Sequence, residues 1–118
     1  MKAIQKTNLK NSLKETKMVA NVYDHYDYIK IETMCPVKYC NEFLVLYAKD
    51  VENGILITDL NGTYEDALLN GFSEKELNIV AQNNGLMFNG ESIFAIVNPG
   101  DVEQVIEKFC RVIQDLNI

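Results

Sequence analysis

Apolar and polar positions follow two rhythms along this chain, one of period two and one of helical period. Phe43–Phe72 shows both in succession. Phe43, Val45 and Tyr47 alternate with Leu44, Leu46 and Ala48, which predicts a strand over 42–49. Val51–Glu52–Asn53–Gly54 reads as a turn, with Gly54 free to take positive φ, and Ile55–Thr58 continues as a strand over 54–59. Apolar residues on both faces of 42–49 predict a central strand covered on both sides. Asp59–Leu60–Asn61–Gly62–Thr63 is turn chemistry, and Thr63 is placed to cap a short helix over 64–70 that stops at Gly71.

The same reading extends to both ends. Residues 3–17 form a helix in which Lys2, Lys6, Lys10 and Lys14 line one slowly drifting face, with a thin apolar stripe of Ile4, Leu9 and Leu13. From Tyr26 the alternation is strand-like, with Ile29 and Ile31 on one face and Tyr28, Lys30 and Glu32 on the other; Pro36 is expected to end it. Ser73 with Glu76 spells a capping box for a second helix carrying Leu77, Val80 and Ala81. Asn89–Gly90 predicts a type I′ hairpin between two short strands. Asn98–Pro99–Gly100 breaks the sheet, and Asp101 is placed to cap a final helix. Its stripe of Val102, Val105, Ile106, Phe109, Val112, Ile113 and Leu116 must be core.

These elements define an α+β protein: an N-terminal helix, a twisted antiparallel sheet with helices packed on one face, and a C-terminal amphipathic helix. Residues 1–20 form a basic N-terminal helix and 21–118 a single α+β domain, of a size suited to one hydrophobic core. The expected core is Ile29, Ile31, Leu44, Leu46, Ile55, Ile57, Leu68, Leu77, Val80, Phe94, Ile96, Val105, Ile106, Phe109 and Ile113. An exposed edge strand would invite a symmetric homodimer.

Charge changes the picture. Residues 1–17 hold five lysines against Glu15 alone, a balance of +4, while the remainder sets six basic residues against sixteen acids, a balance of −10. A body this acidic repels a phosphate backbone, so direct nucleic-acid binding is disfavoured and a basic protein partner is favoured. The apolar runs are too short for a membrane span, and three cysteines without regular spacing do not make a disulfide framework; the expected address is the cytoplasm.

Candidate chemistry is sparse. The single histidine, His25, is not paired with a marked nucleophile, no phosphate-binding glycine loop precedes a helix, and no cofactor or metal is called for. Asp24, Asp27, Glu32, Asp59, Glu65 and Asp66 are the expected partner-binding acids, lying on or beside strands and at a helix start.

The passage from Tyr26 onward resembles a small bacterial and phage family, domain of unknown function 1828. The likeness runs through Thr33 with Pro36 behind it, FLVLYAK, ILITDLNGTYEDALLNGF, LNIVAQNNGLMFNGESIFAIV and the final helix; Thr33, Thr58, Asp59, Gly62 and Gly71 carry it. It implies no activity. It implies a setting in a bacterium, prophage or mobile element. The expected function is therefore a small acidic non-enzymatic binding protein, in its sharpest form an anti-CRISPR-like inhibitor of a nucleic-acid-binding defence complex. The alternatives are a metal-assisted enzyme using Asp24, His25, Asp27 and Asp59, and a subunit of a toxin–antitoxin or regulatory pair whose contact is the basic first helix.

Overall fold

The computed structural model describes the backbone of residues 3–118 and the side chains from Lys6 onward. Ile4, expected on the apolar stripe, lies outside the described side chains. The elements run α1 (Ala3–Lys14), β1 (Val19–His25), β2 (Tyr28–Val37), a 3-10 turn (Lys38–Cys40), β3 (Glu42–Val51), β4 (Gly54–Thr58), α2 (Gly62–Leu69) and α3 (Glu74–Asn83). They continue with β5 (Met87–Phe88), β6 (Ile93–Val97), a 3-10 turn (Pro99–Asp101) and α4 (Val102–Leu116). The six strands form one antiparallel sheet in the order β1-β2-β3-β4-β6-β5, as the α+β reading requires.

Two strands differ from the sequence reading. β1 is an additional strand, paired with β2 across a tight Tyr26–Asp27 turn. A bulge between Val19 and Asn21 breaks its alternation, which hides it from a period-two search. β2 does not stop at Pro36 but runs to Val37, because its pairing with β3 is irregular between Glu32 and Pro36. A proline missing its amide donor fits such an irregularity. There the Thr33 hydroxyl donates to the carbonyl of Leu44 (2.7 Å) and accepts from the Cys35 amide (3.2 Å), satisfying backbone groups that the ladder leaves unmatched.

One face of the sheet is the core. Ile29, Ile31, Leu46, Ala48 and Ile57 project from it and are completely or almost completely buried. α4 packs against β2 and β6, α1 against β1, β2 and β3, and α3 against α4 and β5. The α4 stripe behaves as its spacing predicts: Val102, Val105, Ile106, Phe109, Val112, Ile113 and Leu116 are all buried. Fully burying a leucine- or isoleucine-sized side chain contributes about 1.5–3 kcal/mol, so this stripe is a principal source of stability. α1 belongs to the same core, since Leu9 and Leu13 are buried within it. The expected separation of a basic helix over 1–20 from a domain starting at 21 therefore does not describe the packing.

The core list needs four corrections. In β6 the inward residues are Ile93 and Ala95, while Phe94 is half-buried and Ile96 exposed, because Ala95 pairs with the inward Ile57. In α2 the inward positions are Thr63 and Ala67, one turn apart, leaving Leu68 exposed. Val80 is half-buried. Helix ends also differ in detail. Ser73 and Glu76 form the predicted capping box, with both reciprocal bonds at 3.1 Å. Asp101 makes no side-chain cap, because the chain enters α4 wound as a 3-10 turn, with the Asp101 amide donating to the Asn98 carbonyl, and not in the extended conformation of a capping residue. The β5–β6 loop spans Asn89–Ser92 instead of a two-residue turn, and the Asn89 side chain accepts from the amides of Glu91 and Ser92.

Candidate functional site

Asp59 has a structural position. It is 2% exposed, at the end of β4 where the chain turns into α2. One carboxylate oxygen accepts from the amides of Asn61 (3.2 Å) and Ile93 (2.9 Å), and the other from the amide of Thr63 (3.0 Å). The carboxylate thus caps α2 in place of the expected Thr63 and ties that corner to β6. Burial pushes its pKa above the ordinary carboxylate value, and the three backbone amides pull partly back. Turned inward and saturated with donors, Asp59 is out of reach of a docking partner.

Asp24 and Asp27 sit at the opposite corner, at the β1–β2 turn. Lys10 of α1 bonds to Asp24 at 3.1 Å, Lys6 lies 3.7 Å from the same oxygen, and Lys6 also donates to the carbonyl of Tyr26 at 2.9 Å. The hydrogen bond from Lys10 holds the Asp24 carboxyl below its ordinary pKa. The basic helix therefore spends two of its lysines on its own body. Asp27 is exposed. β1 and β4 are separated by β2 and β3, which puts Asp24 roughly 14 Å from Asp59 at the usual strand spacing. The four residues of the metal-assisted reading do not converge, and no group of three His, Cys, Asp or Glu among the described residues is placed to hold a metal ion.

Of the remaining candidates, Glu32 lies on the second face of the sheet and Asp66 of α2 borders a hollow at its end. Apolar residues on both sides of β3 predict cover on both sides, yet the helices pack on the inner one. The outer face carries Tyr28, Lys30 and Glu32 from β2, Val45, Tyr47 and Lys49 from β3, Leu56 from β4 and Phe94 and Ile96 from β6. Its middle is aromatic: Tyr47 lies 5.0 Å from the His25 ring and 6.3 Å from that of Tyr28, and the Lys49 ammonium stands 5.4 Å over Tyr28.

At the end of this face Phe43 is 59% exposed and forms a wall between two hollows. One, of about 580 Å³, is lined by Lys30, Glu32, Glu42 and Val45 among others. The other, of about 250 Å³, is lined by Tyr39, Glu42, Tyr47, Asp59 and Asp66 among others. Tyr39 donates its phenol to the Asp66 carboxylate, and that bond raises the phenol pKa to about 12. Glu32 beside Tyr23 raises the pKa of that phenol. Of the six predicted acids, Glu32 and Asp66 thus flank one aromatic patch, Asp59 lies beneath it, and Asp24 and Asp27 are at the far hairpin. Glu65 is exposed on the first turn of α2.

Phe43, Tyr39 and Glu42 were not among the sequence-predicted site residues. Phe43 carried a signal, being one of the apolar residues on the second side of β3. No family model, curated protein or solved structure matches the chain.

Proposed function

We propose that this chain is a non-enzymatic binding protein that docks a cationic protein surface against the acid-rimmed aromatic patch around Phe43. The observation that carries the reading is the conjunction at that patch. An exposed phenylalanine and the half-exposed Tyr39 supply apolar area, and Glu32, Glu42 and Asp66 stand beside them without an ion pair among the described residues. Aromatic anchors in a hollow with a charged rim are the arrangement from which binding hot spots are built.

The uncompensated charge sets the sign of the partner. Asp24 is the acid that forms ion pairs among the described residues, so the rim carboxylates Glu32, Glu42 and Asp66 are not neutralised by a cation of the chain's described residues. A basic protein surface, including the nucleic-acid channel of a defence complex, satisfies this rim, and the setting in a bacterium, phage or mobile element follows from the sequence resemblance. Affinity then falls with added salt, because rim charges are screened.

The test is capture from bacterial lysate on the immobilised protein at low and moderate salt, comparing wild type with Phe43→Ala and Glu32→Lys. Salt-sensitive retention of a basic protein that both variants lose supports the reading. Identical lanes for all three proteins overturn it.

A further inference from the structure

Charge on the outer face is polarised along the strands. Lys30 and Lys49 lie toward the His25 end, and Glu32 and the Phe43 patch lie toward the other. Lys30 pairs with Tyr47, Glu32 with Val45 and Pro36 with Phe43, so successive rows across the sheet run from cationic to anionic. The face therefore bears both the acidic patch and a cationic surface of the kind that patch would accept.

We propose that the partner seated on this face is a second copy of the chain, packed sheet to sheet about a two-fold axis in the interface plane and perpendicular to the strands. This rests on the docking reading above and names its partner. With the axis between the Lys30–Tyr47 row and the Glu32–Val45 row, Lys30 of each copy stands over Glu32 of the other, and Tyr47 over Val45. One row further out, Lys49 stands over the exposed ring of Phe43, a cation–π contact across the interface. An axis running along β2 would instead place Lys30 on Lys30 and Glu32 on Glu32. The charge pattern selects the first arrangement and penalises the second.

Size agrees. Six strands about 4.8 Å apart, several residues long at about 3.3 Å each, present a face on the order of 500 Å² in projection. Two such faces pressed together cover about 1,000 Å² or more, the size a specific interface has to clear. Aligned sheet packing requires the layer of alternating apolar residues that β3, β4 and β6 provide. The expected dimer through an exposed edge strand fits less well: β5 is two residues long, and β1 is bulged and flanked by α1.

Sedimentation of the intact protein over a concentration series tests this, together with a charge swap. Wild type is expected to pass from monomer to dimer. Lys30→Glu and Glu32→Lys each set like charges opposite one another at both symmetric contacts, raising the dimer Kd by about tenfold or more. An equimolar mixture of the two variants restores opposite signs at both contacts and sediments as a heterodimer. Urea midpoints of the separate variants close to wild type show that folding is intact; a variant that fails this check is replaced by Lys30→Gln or Glu32→Gln, each expected to weaken the dimer without repulsion. Wild type that stays monomeric throughout, or dimers indifferent to the swap, overturn the proposal. A monomeric wild type whose capture of a basic protein is still lost in Phe43→Ala overturns self-association alone. A swap-sensitive dimer with no capture of any other protein overturns the capture of a basic partner and leaves self-association standing.

Discussion

Ile93 and Asp59 are joined by a 2.9 Å hydrogen bond from the Ile93 amide to the Asp59 carboxylate, across 34 residues of sequence. The same carboxylate takes the amides of Asn61 and Thr63. One side chain therefore caps α2, shapes the turn leading to it and anchors the start of β6. Asp59→Ala leaves three amides without this acceptor at a buried corner. We expect a loss of about 3 kcal/mol or more, read as a lower urea midpoint, with Asp59→Asn losing less because it keeps one acceptor oxygen.

The same residue gives stability a pH dependence. Burial raises the folded-state pKa of Asp59 above its ordinary value, so between the two values the folded state holds a proton that the unfolded chain has released. The contribution of Asp59 is then fully present below the ordinary carboxylate pKa and is lost as pH rises through the raised one. The stability difference between wild type and Asp59→Asn, followed by urea melts through the acid range, should shrink as pH rises. A difference that grows instead would show that the three amides outweigh burial.

α1 is held by apolar contact more than by charge. Leu13 is 1% exposed, and Leu13→Ala should cost about 2–5 kcal/mol. Lys10→Ala removes an ion pair at the surface and should cost less than about 1 kcal/mol. Deletion of residues 1–17 removes Leu9 and Leu13 from the core, so thermal melting should show a destabilised domain instead of an intact one lacking an arm.

Two glycines separate steric from conformational cost. Gly54 has φ +145°, and a Cβ there would lie 2.5 Å from the Val97 carbonyl oxygen of the neighbouring strand. Gly90 has φ +94° with open space around it. Gly54→Ala should destabilise by on the order of 2–4 kcal/mol, and Gly90→Ala by about 1–2 kcal/mol, both measured as denaturant midpoints.

Phe43 separates function from stability. Its ring is mostly in solvent, so Phe43→Ala should shift the urea midpoint little, within about 0.5 kcal/mol, while abolishing capture of a cationic partner. A large loss of stability would identify the ring as a packing element.

The local rules of the chain were legible where the signal is local. Ser73 and Glu76 spell a cap, Gly71 marks a stop, and the spacing from Val102 to Leu116 gives a buried helical stripe; each needs neighbours at most a few turns away. The class of the fold followed from the same short-range patterns. β1 is not legible in the sequence because its bulge interrupts alternation, and the inward register of β6 is not legible because only its pairing with β4 decides which of Phe94 and Ala95 turns inward.

The candidate site divides on the same line. The acidity of the protein, the five lysines gathered in residues 1–17 and the apolar residues on both sides of β3 are properties of composition and period, and need no fold to be read. Tertiary structure alone decided that Lys6 and Lys10 turn back onto the Asp24 hairpin, and that Asp59 is a buried cap instead of a surface contact. It also decided that the second side of β3 stays uncovered, bringing Phe43, Tyr39, Glu32 and Asp66 around two adjoining hollows. The physical reason is the same in each case. A side chain's neighbours across a sheet come from strands tens of residues away, and no local pattern records which face the helices will take.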